Sequence, residues 1–328
     1  MIVLGRPALA LAPMDGITDA VMREFLGGFG AFSYAVSEFV RVSSLVVPPK
    51  VFRREIPELE TDGLTASGLP VQVQLLGGDP ELMALSAVNA VQAGATCVDI
   101  NFGCPAPVVN RHDGGASLLR SPCRIREIVS AVSSAVEAPV SAKLRLGWES
   151  IEDIHENAAM AAEGGAAWLT IHARTRAAGY QPPVYWKPIG QVRARLGIPV
   201  VANGDIWNLD GFKLCQEQTG CSHFMIGRGA LANPKLSHEI AAELGIATRN
   251  GTPGEDWGHL FSSLIRHAGM EVKTVHRVKQ WMALANKHGD FPHFDFLKRV
   301  KSVDELLALL GQLPQDLVHG TALAELVN

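Results

Sequence analysis

The 328 residues carry 29 Lys and Arg against 33 Asp and Glu, a net charge of −4, and 47% of them are hydrophobic. That balance excludes a disordered chain, and the lack of any run of about 18 consecutive apolar residues excludes a membrane-spanning helix. Five cysteines, an odd number without Cys-x-x-Cys spacing, exclude a disulfide framework and a zinc knuckle and fit a reducing cytoplasm.

The apolar opening, Met1 to Met14, contains Ala8-Leu9-Ala10 but is short and runs straight into a strand pattern, so it belongs to the fold rather than to a signal peptide. Further runs follow in order. Ala8–Met14, Phe32–Phe39, Val71–Leu76, Cys97–Asn101, Val140–Leu146, Trp168–Ala173, Pro199–Asn203 and His223–Ile226 read as strands, several apolar enough to be buried on both faces. Between them lie helical patterns such as Pro80–Ala93, Arg124–Val136, Ile151–Glu163 and Leu209–Thr219. Asp79-Pro80 and Ser121-Pro122 supply a cap and a first-turn proline, while Gly94 and Gly164-Gly165 supply stops.

Eight strands in strict alternation over about 235 residues match a (β/α)8 barrel. An open doubly wound sheet has the same periodicity, and the polar residues decide between the two. Asp15, Glu38, Gln74, Asn101, Lys143, His172, Asn203 and Arg228 all fall at or just past the C-terminal ends of strands, where barrels build active sites.

After Leu231 the alternation stops. Thr248–Gly258 is Gly- and Pro-rich and reads as a linker. Beyond it Val275, Val278, Met282 and Ala285 form an apolar stripe at helical spacing, with further helices at Leu306–Leu310 and Ala322–Val327. The predicted architecture is an α/β TIM (β/α)8 barrel over residues 1–245, followed by a small all-α helical bundle over residues 246–328. Charge divides with it: residues 260–302 hold eight Lys or Arg against three Asp or Glu, leaving this window at +5 and the remainder at −9. Arg266, Lys273 and Arg277 read as one basic helix face, with Lys279, Lys298, Arg299 and Lys301 adding to it. Such runs are commonly plain solvated faces, but a positive surface of this density also attracts a polyanion backbone.

Most free cysteines are small buried hydrophobes, and Cys97 and Cys221 fit that role. Cys104 does not. It lies in Asp99-Ile100-Asn101-Phe102-Gly103-Cys104-Pro105, in the loop leaving the fourth strand, with its backbone restrained by glycine and proline. A thiol there can act as nucleophile or as general acid, and the residues alone leave both open.

Asn101-Phe102-Gly103-Cys104-Pro105 resembles the N-x-G-C-P loop of the tRNA-dihydrouridine synthases. Other segments agree in order: Ala12-Pro13-Met14-Asp15-Gly16-Ile17-Thr18-Asp19, Val73-Gln74-Leu75-Leu76-Gly77, Lys143-Leu144-Arg145-Leu146-Gly147, Ile171-His172-Ala173-Arg174-Thr175, Ala202-Asn203-Gly204-Asp205-Ile206 and Met225-Ile226-Gly227-Arg228-Gly229. The resemblance covers essentially the whole chain, basic tail included. Among bacterial branches it is nearest to the one acting at position 16, through Ser37-Glu38-Phe39-Val40-Arg41, the run from Asp113 to Leu119, Leu146-Gly147-Trp148 and Arg277-Val278-Lys279-Gln280-Trp281. It departs at Arg111-His112-Asp113, where many members are rich in Lys, and at Asp15, where Glu or Ala is more usual. The first departure bears on RNA contacts near that loop; neither touches the chemistry.

The resemblance implies FMN as cofactor, NADPH as reductant and a tRNA uridine in the D-loop as substrate, flipped out of its stack. Hydride would pass from flavin N5 to uridine C6, and Cys104 would protonate C5. Cofactor contacts fall on Ala12, Pro13, Met14, Gln74, Lys143, His172, Asn203, Gly204, Asp205, Gly227 and Arg228; substrate contacts fall on Glu38, Arg41, Asn101, Arg145, Arg277 and Lys279. The residues make physical sense of this. Asn203-Gly204-Asp205 and Gly227-Arg228 follow strands seven and eight, where barrels bind phosphate, although each alone is an ordinary tight turn. Lys143, on an otherwise apolar strand, would stabilise anionic reduced flavin, and Gln74 offers the flavin imide both a donor and an acceptor. His172 reads equally as a satisfied core histidine. Asp205 would repel a phosphate, so it is expected to use its backbone or to orient a neighbour.

No G-x-G-x-x-G follows a strand, so the nicotinamide is expected to share the open site. A cytoplasmic monomer without metal is expected. Three rivals stand beside this reading: a small-molecule flavin enzyme of the dihydroorotate-dehydrogenase type, which would not need the basic helical domain; a barrel lyase or aldolase using Lys143 as a Schiff base, which would be colourless; and an RNA-binding protein that has lost catalysis, against which Cys104, Lys143 and His172 argue.

Overall fold

The computed structural model describes residues 2, 6–106, 114–254 and 256–313. The helix expected at Ala322–Val327 and the Arg111-His112-Asp113 segment lie outside them. Eight parallel strands follow in order: β1 Ala8–Leu11, β2 Tyr34–Arg41, β3 Val71–Leu76, β4 Val98–Asn101, β5 Val140–Arg145, β6 Trp168–His172, β7 Val200–Asn203 and β8 His223–Ile226. Each pairs with its chain neighbours, and the sheet closes where β1 meets β8, Ala8 beside His223 through Leu11 beside Ile226. The open sheet is thereby excluded, and the fold is a TIM barrel.

Alternate strand residues face the axis and the surrounding helices. Ala8, Ala10, Tyr34, Val36, Trp168, Val201 and Met225 from β1, β2, β6, β7 and β8 cluster with Cys97, just before β4, across the barrel interior, as inward-facing residues do. Tyr34 and Trp168 open their strands, so large apolar groups plug the N-terminal end. The inward residues that end strands are polar instead: Asn101, His172 and Asn203 close β4, β6 and β7.

Flanking helices include α1 Ala20–Gly27, α2 Pro49–Glu55, α3 Pro80–Gln92, α4 Pro122–Ala135, α5 Asp153–Glu163, α6 Lys187–Arg195 and α7 Leu209–Thr219. Asp79 caps α3 by accepting the Leu82 N–H at 2.9 Å, with Pro80 in the first turn. Ser121 makes no such side-chain cap; α4 starts on Pro122 alone.

Several strand ends differ from expectation, most of them by one residue and the largest at β1 and β2. β1 stops at Leu11 rather than Met14, because Pro13 has no N–H to extend the ladder and residues 14–18 close a turn. In that turn the Ile17 and Thr18 N–H groups donate to the Met14 carbonyl at 2.9 Å each, and the Met14 N–H donates to Thr18 Oγ1 at 2.7 Å. β2 runs on to Arg41 across a bulge between Val36 and Phe39. Ser37 fills the bulge: its Oγ accepts the Gln74 N–H at 3.0 Å and donates to the Glu38 carbonyl at 2.9 Å.

The chain forms two compact units, Met1–Gly227 with Leu236–Gly251, and Arg228–Lys235 with Thr252–Asn328. The expected break after residue 245 is shifted in two places. Residues 246–251 stay with the barrel: the Arg249 N–H donates to the Gly30 carbonyl, and its guanidinium donates to the carbonyls of Ser67 and Gly68. The short helix α8, Arg228–Ala232, goes with the second unit, because Trp281 Nε1 donates to the Leu231 carbonyl at 2.7 Å and Gly289 packs directly on Ala232. Helix α9, Leu236–Glu243, returns to the first unit.

The second unit continues with α10 Trp257–Ala268, α11 Val272–His288, α12 Phe294–Leu297 and α13 Val303–Leu310. Its core is aromatic: Phe261 stands edge-on to Trp281 and Phe291 at ring separations of 5.2 and 5.1 Å, and Trp257 stacks on Phe261. The stripe Val275, Val278, Met282 and Ala285 is buried on α11 as expected. The single basic face is not observed. Gly269, at φ +86°, ends α10, so Arg266 lies on one helix while Lys273 and Arg277 lie on the next. Lys273 and Lys298 lie beside Glu271 and Asp295, acids already counted in the +5, and Lys279 donates to the Val300 carbonyl.

Candidate active site

Cys104 lies half-buried in the loop after β4. Asn101, the last residue of that strand, fixes the loop: its Oδ1 accepts the N–H groups of Gly103 at 2.9 Å and Cys104 at 3.0 Å. From β5, the 3% exposed Arg145 clamps the same loop. Its Nε donates to the Gly103 carbonyl at 2.8 Å, its Nη1 donates to the carbonyls of Gly179 and Thr175, and its guanidinium lies 5.1 Å from the Tyr180 ring. Arg145 was expected to hold the uridine or its phosphate near the barrel mouth; three of its donor contacts join the loops after β4 and β6.

Burial pushes the Cys104 thiol up, and Asp15 adds to this, while the Ala106 N–H, Arg145 and Lys143 oppose it. The balance keeps the sulfur protonated at neutral pH, which suits a proton donor better than a nucleophile. Lys143 on β5 is half-buried, and its Nζ donates to Asn203 Oδ1 at 3.3 Å. Desolvation and the neighbouring Arg145 pull its pKa down, against Asp99 and Cys104.

Beneath these groups runs a buried polar chain that sequence reasoning missed. Asp99, 2% exposed, accepts from Ser141 Oγ at 2.5 Å and from Gln74 Nε2 at 2.7 Å, and Gln74 Oε1 accepts from Asn101 Nδ2 at 2.8 Å. Desolvation raises the Asp99 pKa, while these hydrogen bonds and Lys143 lower it. Gln74 thus has one donor and one acceptor engaged inside the protein, with its second N–H and second lone pair left over. Only the inward register of Asp99 beside Gln74 and Ser141 marks this chain, and register is not written in one strand's sequence.

On the opposite strands, Asn203 Nδ2 donates to the Met225 carbonyl at 2.9 Å. Gly204, at φ +119°, turns the chain after β7, and its carbonyl accepts from Trp186 Nε1 at 3.0 Å. A Cβ at Gly204 would sit 3.2 Å from the Ala173 nitrogen and 3.4 Å from His172 Nε2. Asp205 takes a left-handed φ of +51° and directs both carboxylate oxygens to the fully buried Arg174, a partner the sequence did not suggest. After β8, Gly227 packs under Ala12 and Met14, where a Cβ would meet the Met14 sulfur at 3.1 Å. Arg228 follows as the first residue of the second unit.

Glu38 holds the loop after β1, its Oε1 accepting the Ile17 N–H at 3.1 Å, and burial raises its pKa. Arg41 ends β2 exposed. Arg277 on α11 is half-buried. Among the described residues no group of three His, Cys, Asp or Glu is placed to hold a metal, and no helix is long and apolar enough to cross a membrane.

Fold and site together define a barrel of the enzyme type: a protonated thiol, a desolvated ammonium and glycine turns after β7 and β8, the thiol, the ammonium and both turns set at the C-terminal ends of strands. The family model for dihydrouridine synthases matches residues 10–289. The chain is 43% identical over 314 residues to the tRNA-dihydrouridine(16) synthase of Shewanella oneidensis, covering 92% of this chain and 96% of that protein. It is 39% identical to the proteins of the same name from Haemophilus influenzae and Vibrio cholerae, over 92% and 95% of this chain and 98% of each of them. The chain belongs to the dihydrouridine synthase family.

Proposed function

We propose that the protein reduces uridine 16 in the D-loop of tRNA to 5,6-dihydrouridine, with FMN as its cofactor and NADPH as the electron donor. One observation carries the reading: a thiol kept protonated, on a loop pinned by Asn101 and Arg145, faces the ammonium of Lys143 electrostatically at the mouth of a barrel. The names of the relatives point to position 16.

The residues present fit FMN. Lys143 has one hydrogen bond among the described residues, so its remaining donors suit an electron-rich ring edge. The turn at Gly204 takes a φ of +119° that favours glycine and packs closely on Ala173, and its bare backbone suits a phosphate. Arg174 takes up the Asp205 carboxylate, which removes the repulsion that side chain would otherwise bring. Held by Gln74, Lys143 and the turns after β7 and β8, FMN would supply hydride chemistry to the uridine ring at C6. Cys104 Sγ gives its proton to C5, and the cations of Arg145 and Lys143 stabilise the thiolate that remains. The base must leave its stack to reach the thiol. Arg41, Arg277 and Lys279 would neutralise phosphates of the RNA, and the protein would work as a cytoplasmic monomer.

The test uses purified protein, unmodified tRNA and NADPH. A yellow protein that adds two hydrogens to one uridine is expected, and Cys104→Ala should keep flavin and tRNA binding while losing product. A colourless protein, or wild-type turnover by Cys104→Ala, would refute the reading; the first result would favour the Schiff-base chemistry of Lys143.

A further inference from the structure

We infer that Asp99 is a positioning residue that sets the direction of two side-chain amides, Gln74 and Asn101, and through them holds the Cys104 loop in place. The inference rests on the proposed role of Cys104 for its meaning, but not for its geometry.

A carboxamide has a donor end and an acceptor end of almost the same shape, so packing alone does not choose its orientation. A carboxylate only accepts. Asp99 is buried, with Ser141 Oγ donating to Oδ1 and Gln74 Nε2 donating to Oδ2. The second contact commits Gln74 to point Oε1 at Asn101, which must then donate from Nδ2. Asn101 is left with Oδ1 facing the loop, where two backbone donors, Gly103 and Cys104, meet it. Turning either amide would set donor against donor along the chain, in a place largely closed to water. Strand pairing supplies the spacing: Gln74 lies beside Asp99, and Asp99 beside Ser141. One buried negative charge thus decides which atom grips the loop after β4.

The test reads the thiol, not turnover. Cys104 alkylation by iodoacetamide is followed by peptide mass spectrometry across pH on the tRNA-free flavoprotein. Groups facing the thiol are Asp15, Arg145 and Lys143. Asp99→Asn keeps size but can present either end of an amide, so the loop should loosen and alkylation at neutral pH should rise about tenfold, with the midpoint nearer an ordinary thiol. Ser141→Ala removes a donor without changing direction and should leave the profile as in wild type. Adding Gln74→Glu to Asp99→Asn puts the carboxylate one place along; the new amide at 99 donates to it and Asn101 still donates to it, so the alkylation profile, compared at equal flavin content because Gln74 is an expected flavin contact, should move back toward wild type.

A folded Asp99→Asn that alkylates like wild type overturns the inference, and so does a double variant no better than the single one. If Asp99→Asn alone does not fold, the double variant should fold with a profile near that of wild type; its failure to fold overturns the inference too. Dihydrouridine formation is assayed separately on wild type, so absence of that activity would refute the function while leaving the alkylation result standing.

Discussion

Removing the Asp205 carboxylate should cost far more than its place on a surface turn suggests. Arg174 is 0% exposed and Asp205 15%, and the two make a bidentate pair whose longer contact is Nη1 to Oδ1 at 2.7 Å. The Arg174 Nε contact to the Gln181 carbonyl, at 2.7 Å, cannot replace a counter-ion. Breaking a buried pair by deleting one partner costs about 3–5 kcal/mol, and partial exposure of Asp205 places this one near the lower end. Alanine at φ +51° adds about 1 kcal/mol, because aspartate tolerates the left-handed region better. Asp205→Ala should therefore lose about 4 kcal/mol and about 8–16 °C of Tm, given about 2–4 °C per kcal/mol for a unit of this size. Asp205→Asn keeps the backbone preference and one acceptor and should lose about 2 kcal/mol. Combining Asp205→Ala with Arg174→Met removes the stranded charge and should be less destabilising than Asp205→Ala alone. Thermal unfolding followed by circular dichroism, with urea midpoints, gives all three values. A loss below about 1 kcal/mol for Asp205→Ala would mean the pair behaves as a solvated surface bridge and would refute the reasoning.

Gly204→Ala should lower bound flavin and stability together, by about 1–2 kcal/mol for the φ of +119° alone, with the Ala173 and His172 contacts adding to it; unchanged flavin content would count against the β7 turn as part of the cofactor site. The pH dependence follows from two shifts: the active thiol is the neutral form with a raised pKa, and Lys143 acts charged with a lowered one. Turnover should hold through neutral pH and fall on the alkaline side, first as Lys143 loses its proton, and Lys143→Arg should move that limb upward in whatever activity it retains. A decline that begins below neutral pH and continues upward would contradict this. Arg277→Glu should weaken tRNA binding and flatten its dependence on salt while leaving the flavin spectrum unchanged, and equal affinity across a salt titration would remove the helical unit from the RNA contacts.

The barrel was legible because parallel strands buried on both sides carry their own signature, and because polar residues ending strands such as Asn101 and Asn203 mark the functional face. The early stop of β1 was within reach, since Pro13 cannot extend a ladder, as was the break at Gly269 that separates Arg266 from Arg277. Other features were not. Arg145 looks like a free cation until the carbonyls of Gly103, Thr175 and Gly179 are seen around it, and these come from loops after two different strands. Asp99 belongs to the Cys104 motif on paper, but its partners Gln74 and Ser141 lie 25 and 42 residues away. The bulge at Ser37 depends on the register of β2 against β3, which neither strand specifies alone. The charge surplus of residues 260–302 is real as a count, yet a count does not say which helix carries each cation, or that Lys279 is turned to the Val300 carbonyl.

The most direct test of the central claim is a position-by-position map of dihydrouridine in tRNA from cells lacking this gene, compared with the same cells carrying it again. Loss at position 16 alone, restored by the wild-type gene and not by Cys104→Ala, is the predicted result. Dihydrouridine that persists at position 16, or that disappears from another position instead, would contradict it.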